Sequence, residues 1–384
     1  MLPLRLPVPL AVVAIPVRNE AQRIAACLHG LAAQHDARVG HVVLLLNNCT
    51  DTTGEVVRTL AGRLPFGLSL IQRAYPPATA HAGTARREAM EIAAEIAGPE
   101  GIVITTDADG VVAPDWLANT LAAFEEGADA VCGRAVIDPV EARLIPHHLH
   151  EDDRAEIGYA MLLDRIHDLV DPDPHDPWPR HTEHSGASIA VRVPAWERAG
   201  GMPALPLGED RGFLQALRQV DAAIRHAPDV TVSVSGRIDG RARGGMADTM
   251  ARRLVRQDEM LDENLEPPMI CLLRAQARAA LRRLRALPPT GLTWRQDVES
   301  LAHQLNIPAS RVDLLAQMPF FGMAWSHLET CSPELGRIPI RRADLSFHHR
   351  RARRVVRQLL ARRSGARMAP AHAALSSATG LRHP

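Results

Sequence analysis

The stretch Gly101-Ile102-Val103-Ile104-Thr105-Thr106-Asp107-Ala108-Asp109-Gly110 decides how this chain reads. Its apolar half shows no polar alternation, which predicts a strand over 101–106 buried on both faces, as in a parallel sheet covered by helices. Two carboxylates one residue apart follow at once. Ligands of open parallel sheets bind outside the carboxyl ends of the strands. A pair placed there suits a hard divalent cation that also holds a diphosphate. An isolated Asp-x-Asp is also a common solvated turn, and only its place after a buried strand separates the two readings.

Upstream, short β-branched runs alternate with longer amphipathic stretches. Strands are predicted at 10–17, 41–46 and 68–72, and helices at 20–34, 51–63 and 81–97. Downstream come a helix at 114–126 and a strand at 128–134. Four β-α units in a row imply an α/β fold with a mostly parallel, doubly covered sheet. From 137 to 184 the chain turns acidic and rich in proline and histidine, and it reads as a long loop with one helix near 155–169. Beyond it lie a strand at 187–193, a helix at 209–220 and a strand pair at 223–226 and 230–235. After about 245 the pattern is helical, at 248–263, 269–286, 294–305, 310–317 and 350–363. This divides the chain into 1–245, with 137–185 as an insertion, a helical extension at 246–340 and a basic tail at 341–384.

Two further polar segments end predicted strands. Pro16-Val17-Arg18-Asn19-Glu20 closes the first and opens a helix whose terminal amides face the same edge; alone it reads equally as a helix cap. Asn47-Asn48-Cys49-Thr50-Asp51 closes the second and offers amide and carboxylate groups able to read a base edge or ribose hydroxyls, although Asp51 is equally an N-cap candidate.

The chain has 384 residues, 44 basic against 44 acidic side chains, and five cysteines with no C-x-x-C pair. Neither a disulfide framework nor a zinc site is indicated, and a reducing compartment fits. There is no lysine, so every fixed positive charge is a guanidinium, suited to bidentate contact with phosphate or carboxylate. Aromatic residues are 3% of the chain, too thin for a base-stacking platform, so specific nucleic-acid binding is not expected. The apolar N-terminal stretch is interrupted by prolines, and neither a signal peptide nor a spanning helix is expected.

Taken in order, Pro16-Val17-Arg18-Asn19-Glu20, the Asn47–Asp51 turn, Gly83-Thr84-Ala85-Arg86, Asp107-Ala108-Asp109 and Gly208-Glu209-Asp210 resemble family 2 glycosyltransferases of the GT-A fold. The resemblance covers about residues 10–245. It implies a Rossmann-like, mostly parallel sheet and inverting transfer of a sugar from a nucleotide diphosphate donor, with Mg²⁺ or Mn²⁺ on the diphosphate. Pro16, Arg18, Asn19, Glu20 and Asn47 would line the nucleoside pocket, with Arg86 near the donor. Asp107 and Asp109 would serve ribose and metal. Gly186-Ala187-Ser188 followed by Arg192 looks like the strand under the acceptor site, and Glu209-Asp210 like the catalytic acid pair, with Asp210 as base. Otherwise that pair reads as favourable charge at a helix N-terminus. The sequence departs from the family pattern at Arg87, where asparagine is usual, and lacks a histidine after the strand at 230–235, where some members supply a third metal ligand.

Three candidates lie outside those motifs. His184 directly precedes the acceptor strand, and Arg237 and Arg243 sit in a glycine-rich loop able to fold over a diphosphate or to serve as a linker. The other histidines near it, His147, His148, His150 and His181, read as solvated loop residues. The tail carries 11 arginines against Asp344 alone and has Ala352, Val355, Val356, Leu359 and Leu360 at helical spacing. It reads as a solvated helix or as a peripheral contact to anionic membranes. The resulting expectation is a cytoplasmic transferase using a nucleotide-sugar donor and an acceptor the sequence does not name. The competing readings are a nucleotidyltransferase-like enzyme, which would open on a glycine-rich phosphate loop with a lysine, and a non-catalytic nucleotide-sugar-binding or interaction protein.

Overall fold

The runs Ala11–Val17 (β1) and Ile102–Thr105 become neighbouring strands at the centre of an eight-stranded sheet, because each is apolar on both faces and only an interior strand buries both. The computed structural model describes residues 9–237, 240, 245–256 and 258–368. After β1 come Ile24–Ala32 (α1), His41–Asn47 (β2), Thr53–Ala61 (α2), Gly67–Arg73 (β3) and Ala82–Ala97 (α3), followed by Ile102–Thr105 (β4). Val111–Val112 (β5), Trp116–Glu125 (α4), Ala130–Ile137 (β6), Pro139–Ala142 (α5) and His147–Val170 (α6) lead into Ile189–Arg192 (β7), Val193–Arg198 (α7), Glu209–Gln219 (α8) and Ile224–Val234 (β8). Helices fill the rest: Met246–Val255 (α9), Pro268–Arg285 (α10), Leu292–Gln304 (α11), Ala309–Ala316 (α12), Phe321–Cys331 (α13) and Leu345–Met368 (α14).

The strand order is β3-β2-β1-β4-β7-β6-β8-β5. Six strands run parallel; β7, wedged between β4 and β6, and the short β5 run against them. Side chains alternate across the sheet with period two. Val13, Ile15, Leu44 and Ile104 point to the face covered by α1, α2 and α4, while Val12, Ala14, Val43 and Val103 point to the face covered by α3, α7 and α8. The α/β expectation and the order of the early elements hold, including the mainly parallel sheet and the helical C-terminal region.

Three predicted elements differ. The segment 137–184 is not mainly loop: α6 runs for 24 residues, with Leu149, Tyr159, Leu163, Ile166 and Leu169 on its buried face. Its acidic and histidine-rich outer face hid that stripe. The strand pair at 223–226 and 230–235 is one strand, β8, whose register against β6 shifts between Cys132 and Arg134. Gly133 sits at that shift because a Cβ there would lie 2.3 Å from Ser188 Oγ and 2.7 Å from the Val230 carbonyl. The helix forecast at 248–263 stops at Val255.

The helical region has two cores. Helices α10 to α13 share Leu281, Trp294, Leu301, Val312 and Leu328. The helix-turn-helix look of 298–315 is thus internal packing. The tail helix α14 is docked, not loose: Ala352, Val355 and Val356 are buried against Tyr159, Leu163 and Ile166 of α6 and Cys271 of α10. Among the described residues no helix is long and apolar enough to cross a membrane.

Candidate active site

Because the parallel strands end together, the loops after β1, β2, β4 and β8 open onto one cleft of about 2460 Å³. Pro16, Arg18, Asn19 and Glu20 line it from the end of β1, and Asn47 from the end of β2. Arg86 enters from the first turn of α3, Asp107 and Asp109 from the loop after β4, and Arg237 from the loop after β8. His184, Glu209 and Asp210 complete the set.

The first two loops hold each other in shape. Asn19 has a φ of 54°, and its side-chain carbonyl accepts from the Thr50 amide at 2.8 Å. Asp51 is a cap, accepting from the Thr53 amide at 3.0 Å and the Ala21 amide at 3.1 Å, so it anchors the loops and does not reach the cleft. Asn47 donates to the His81 carbonyl at 3.3 Å, while its Oδ1 is buried without a partner. An orphaned buried acceptor is costly unless a ligand supplies the donor.

Arg86 is the hub. Its Nη2 donates to Asp107 Oδ1 at 2.7 Å and its Nε to Glu209 Oε1 at 3.1 Å, while Nη1 donates to Thr105 Oγ1 and the Gly186 carbonyl, each at 2.8 Å. Burial alone would weaken its charge, but Asp107 and Glu209 more than offset that and push its pKa up. Gly186 is required here, since a Cβ would lie 2.7 Å from the guanidinium carbon. One buried cation therefore fixes the strand end, the first carboxylate and the start of α8 relative to one another.

Asp109 is crowded. Burial, reinforced by Asp107 and Glu20 against the opposing Arg237, raises its pKa to about 6. Nη2 of Arg237 stands 3.1 Å from Asp109 Oδ2. Beneath the pair, burial and the same carboxylates push the Cys27 thiol up, so it stays neutral. Hard oxygens in excess of local positive charge make a donor set that fits Mg²⁺ or Mn²⁺.

The acid pair divides its duties. Glu209 is buried and tied to Arg86. Asp210 opens to the cleft, its Oδ2 accepting from the Gly186 amide at 3.0 Å and its Oδ1 from the Arg211 amide at 2.7 Å. Gly208, at φ 72°, makes the turn that brings the pair into the first turn of α8.

Not every predicted residue reaches the cleft. Ser188 is buried and accepts from Trp116 Nε1 at 2.9 Å, and Arg192 donates to the Phe124 and Ala128 carbonyls with its guanidinium over the Phe124 ring. Both side chains are used by the scaffold, and neither lines the cleft. Arg243 lies outside the described residues. His184 does line it, but as part of a buried cluster with His181 and His226; its Nε2 accepts from Arg218 at 3.0 Å, and burial followed by Arg218 pushes its pKa down to about 2. His181 is therefore a core residue, not a solvated one, donating to the Cys132 carbonyl at 2.9 Å. Sequence reasoning missed Arg218, which makes no ion pair among the described residues, and His226, whose Nδ1 is 2.7 Å from Asp176 Oδ2 and whose Nε2 is buried without a partner. No motif marks them; only the fold of β8 and α8 brings them together.

Residues 12–177 match the family described as Glycosyl transferase family 2. The sheet is that of the GT-A fold the motifs implied. No curated protein matches the chain. Among solved structures it is similar to a mannosyltransferase from Pyrobaculum calidifontis in complex with GDP-Man and Mn²⁺, at 21% identity over 84% of this chain and 85% of that one, with a TM-score of 0.44. It is also similar to S. aureus TarS 1-349 in complex with UDP, at 15% identity over 93% and 92% of the two chains, with a TM-score of 0.43. A third is glucosyl-3-phosphoglycerate synthase from Mycobacterium tuberculosis with Mn²⁺, UDP and glucosyl-3-phosphoglycerate, at 14% identity over 70% and 80%, with a TM-score of 0.39. The glycosyltransferase match stops short of α8, so the roles of Glu209 and Asp210 rest on geometry and on the motif order alone.

Proposed function

We propose that this protein transfers a sugar from a nucleotide diphosphate donor to an acceptor hydroxyl with inversion at the anomeric carbon. The observation that carries the reading is the Arg86 network, which ties Asp107 and Glu209 together at the carboxyl edge of the sheet and, through Gly186, sets Asp210 beside them on the same cleft. The segment that matches the glycosyltransferase family contains the first three loops of that site.

Asn47, with its unpartnered Oδ1, and the loop at Pro16–Glu20 receive the nucleoside. Asp107 and Asp109 hold Mg²⁺ or Mn²⁺, which supplies charge to the donor diphosphate when bound. Arg237, next to them, adds a guanidinium able to neutralise leaving-group charge. Asp210 takes the proton from the acceptor hydroxyl as that oxygen attacks the face of the sugar opposite the diphosphate. A carboxylate is a sufficient base because the hydroxyl becomes strongly acidic only as the new bond forms. Its two backbone hydrogen bonds hold it in place beforehand.

The test is a panel of UDP-, GDP- and dTDP-sugars followed by donor hydrolysis and thermal shift, with and without Mn²⁺. One nucleotide sugar should stabilise the protein and be turned over in a metal-dependent manner. No response to any member of the panel in the presence of metal overturns the reading.

A further inference from the structure

A second group of ligating side chains lies in the cleft wall away from the sheet edge. His167 on α6, Cys271 in the first turn of α10 and Glu266 just before that helix bring a ring nitrogen, a sulfur and a carboxylate oxygen to within 4.8 Å of one another. All three line the cleft, and Cys271 and Glu266 are buried. They do not satisfy each other. The Cys271 thiol donates to the Leu163 carbonyl at 3.4 Å, Glu266 Oε2 is buried with no partner, and the His167 ring makes no hydrogen bond among the described residues.

We propose that His167, Glu266 and Cys271 bind one divalent cation of the borderline-soft class, Zn²⁺ above all, independently of the carboxylates at the sheet edge. Imidazole, thiolate and carboxylate are the three ligand types Zn²⁺ accepts, whereas Mg²⁺ keeps to oxygen. Tetrahedral coordination asks the three atoms to draw together by about an ångström from their present spread, a shift within reach of side-chain rotation. The fourth position faces the cleft and takes water. Binding exchanges the Cys271 proton for the metal and releases that proton to solvent.

The surroundings permit this charge. Arg274 stands 3.3 Å from Glu266 Oε1 but also pairs with Glu329, and Arg278 is paired with Asp171 at 3.0 Å. A doubly charged cation meeting one thiolate and one carboxylate leaves the site neutral. Tyr159 Oη donates to the Glu266 carbonyl at 2.7 Å, which fixes the backbone of that ligand against α6. The site would pin α6 to α10, two of the helices that carry the tail helix α14.

Full-length protein stripped with EDTA and titrated with Co²⁺ alone reads the site directly through the sulfur-to-cobalt charge-transfer band. One equivalent should produce the band, Zn²⁺ should erase it, and it should persist in Asp109→Asn and Cys27→Ser. Cys271→Ser should abolish it. Since Cys271 is buried and its variant is at risk of misfolding, His167→Gln, on the less buried ligand, is the second variant and should weaken Co²⁺ binding about 100-fold or more. Stripped wild type that shows no sulfur band, a band that survives Cys271→Ser, or unchanged affinity in folded His167→Gln overturns the proposal. None of these readings depends on transferase activity.

Discussion

Arg237 grips both oxygens of Glu20, at 2.9 and 2.5 Å, across 217 positions of sequence. The loop after the last long strand thereby closes on the loop after the first, and the same guanidinium reaches Asp109 at 3.1 Å. Glu20 is buried, so the pair with Arg237 offsets part of the cost of taking its carboxylate out of water. One arginine thus supplies the positive charge for two carboxylates beside the place where a divalent cation fits.

Arg237→Ala should therefore destabilise the metal-free protein by about 1.5–3 kcal/mol, the range for hydrogen bonds to charged groups. Added Mn²⁺ should recover part of that loss, because a cation on Asp107 and Asp109 relieves the repulsion the guanidinium had offset. Melting curves in EDTA and in Mn²⁺ measure the difference. An equal deficit in both conditions would separate Arg237 from the metal position.

The division of labour between Glu209 and Asp210 predicts unlike phenotypes. Asp210→Asn loses the proton acceptor and keeps an oxygen for one of its two backbone amides, Gly186 or Arg211, so donor affinity should hold while turnover falls by about 10²–10⁴-fold. Glu209→Gln removes the negative charge from the buried pair with Arg86, so it should lower the melting temperature as well as the rate. Donor binding by calorimetry, turnover and thermal melts on the two variants decide this. Near-normal turnover in Asp210→Asn would move the base elsewhere.

Ser188 should matter to stability and not to chemistry. Its hydroxyl is the partner of a fully buried Trp116 N–H, and leaving such a group unpaired costs about 1–3 kcal/mol. Ser188→Ala should lower the unfolding free energy by that amount, read from a lower urea midpoint at unchanged m, with turnover of the preferred nucleotide sugar unchanged. A fall in kcat without a loss of stability would return Ser188 to the acceptor site.

What could be read from sequence follows from what each residue's neighbours in the chain reveal. Asp107, Asp109, Glu20 and Asn47 were legible as cleft residues because each stands at the end of an apolar strand or a few residues past it, and strand ends in a parallel sheet share one edge. Arg86 was legible only through the motif resemblance, since nothing in 83–86 announces that its guanidinium will bridge to Glu209, 123 positions away. Ser188 and Arg192 were misplaced because β7, which begins just after Ser188 and ends at Arg192, runs antiparallel between β4 and β6, a topology that local periodicity does not encode. His226 and Arg218 carry no local signal at all; the register shift in β8 and the docking of α8 create their environment. Helix α6 was half seen because its polar face outweighs its apolar stripe in composition.

The histidine cluster predicts a stability profile. Burial, followed by His226, lowers His181 to about 4, and burial, followed by Arg218, lowers His184 to about 2. Arg134 adds to the first effect while Asp176 opposes it, and His226, Arg211 and His181 add to the second. Between their folded values and the unfolded value near 6.5, the unfolded chain holds the extra protons. Their contribution is therefore complete above about pH 6.5 and is lost as pH falls below it, at up to about 1.4 kcal/mol per pH unit for each group. Urea midpoints at pH 7.0 and 5.5 should show this fall. His184→Gln, which keeps an acceptor for Arg218, should flatten it, and an identical slope in that variant would assign the effect to other groups.

The tail helix gives the last prediction. The apolar stripe of α14 is already used inside the molecule, with Ala352 fully buried and Val355 and Val356 beside it against α6. The arginines at 350–363 face outward, and of its large apolar side chains only Phe347 and Leu360 are left exposed among the described residues, well short of the broad apolar face an amphipathic anchor inserts into a bilayer. Ala352→Asp places an unpaired carboxylate in that seam, at a cost of several kcal/mol, and should expose the Tyr159 and Leu163 patch to a hydrophobic dye. Arg350→Glu together with Arg354→Glu, on the exposed face, should leave the melting temperature within about a degree or two, since exposed charges contribute little. If the order of the two effects were reversed, the helix would owe its place to charge and not to its stripe, and its buried residues would be free for a partner outside this chain.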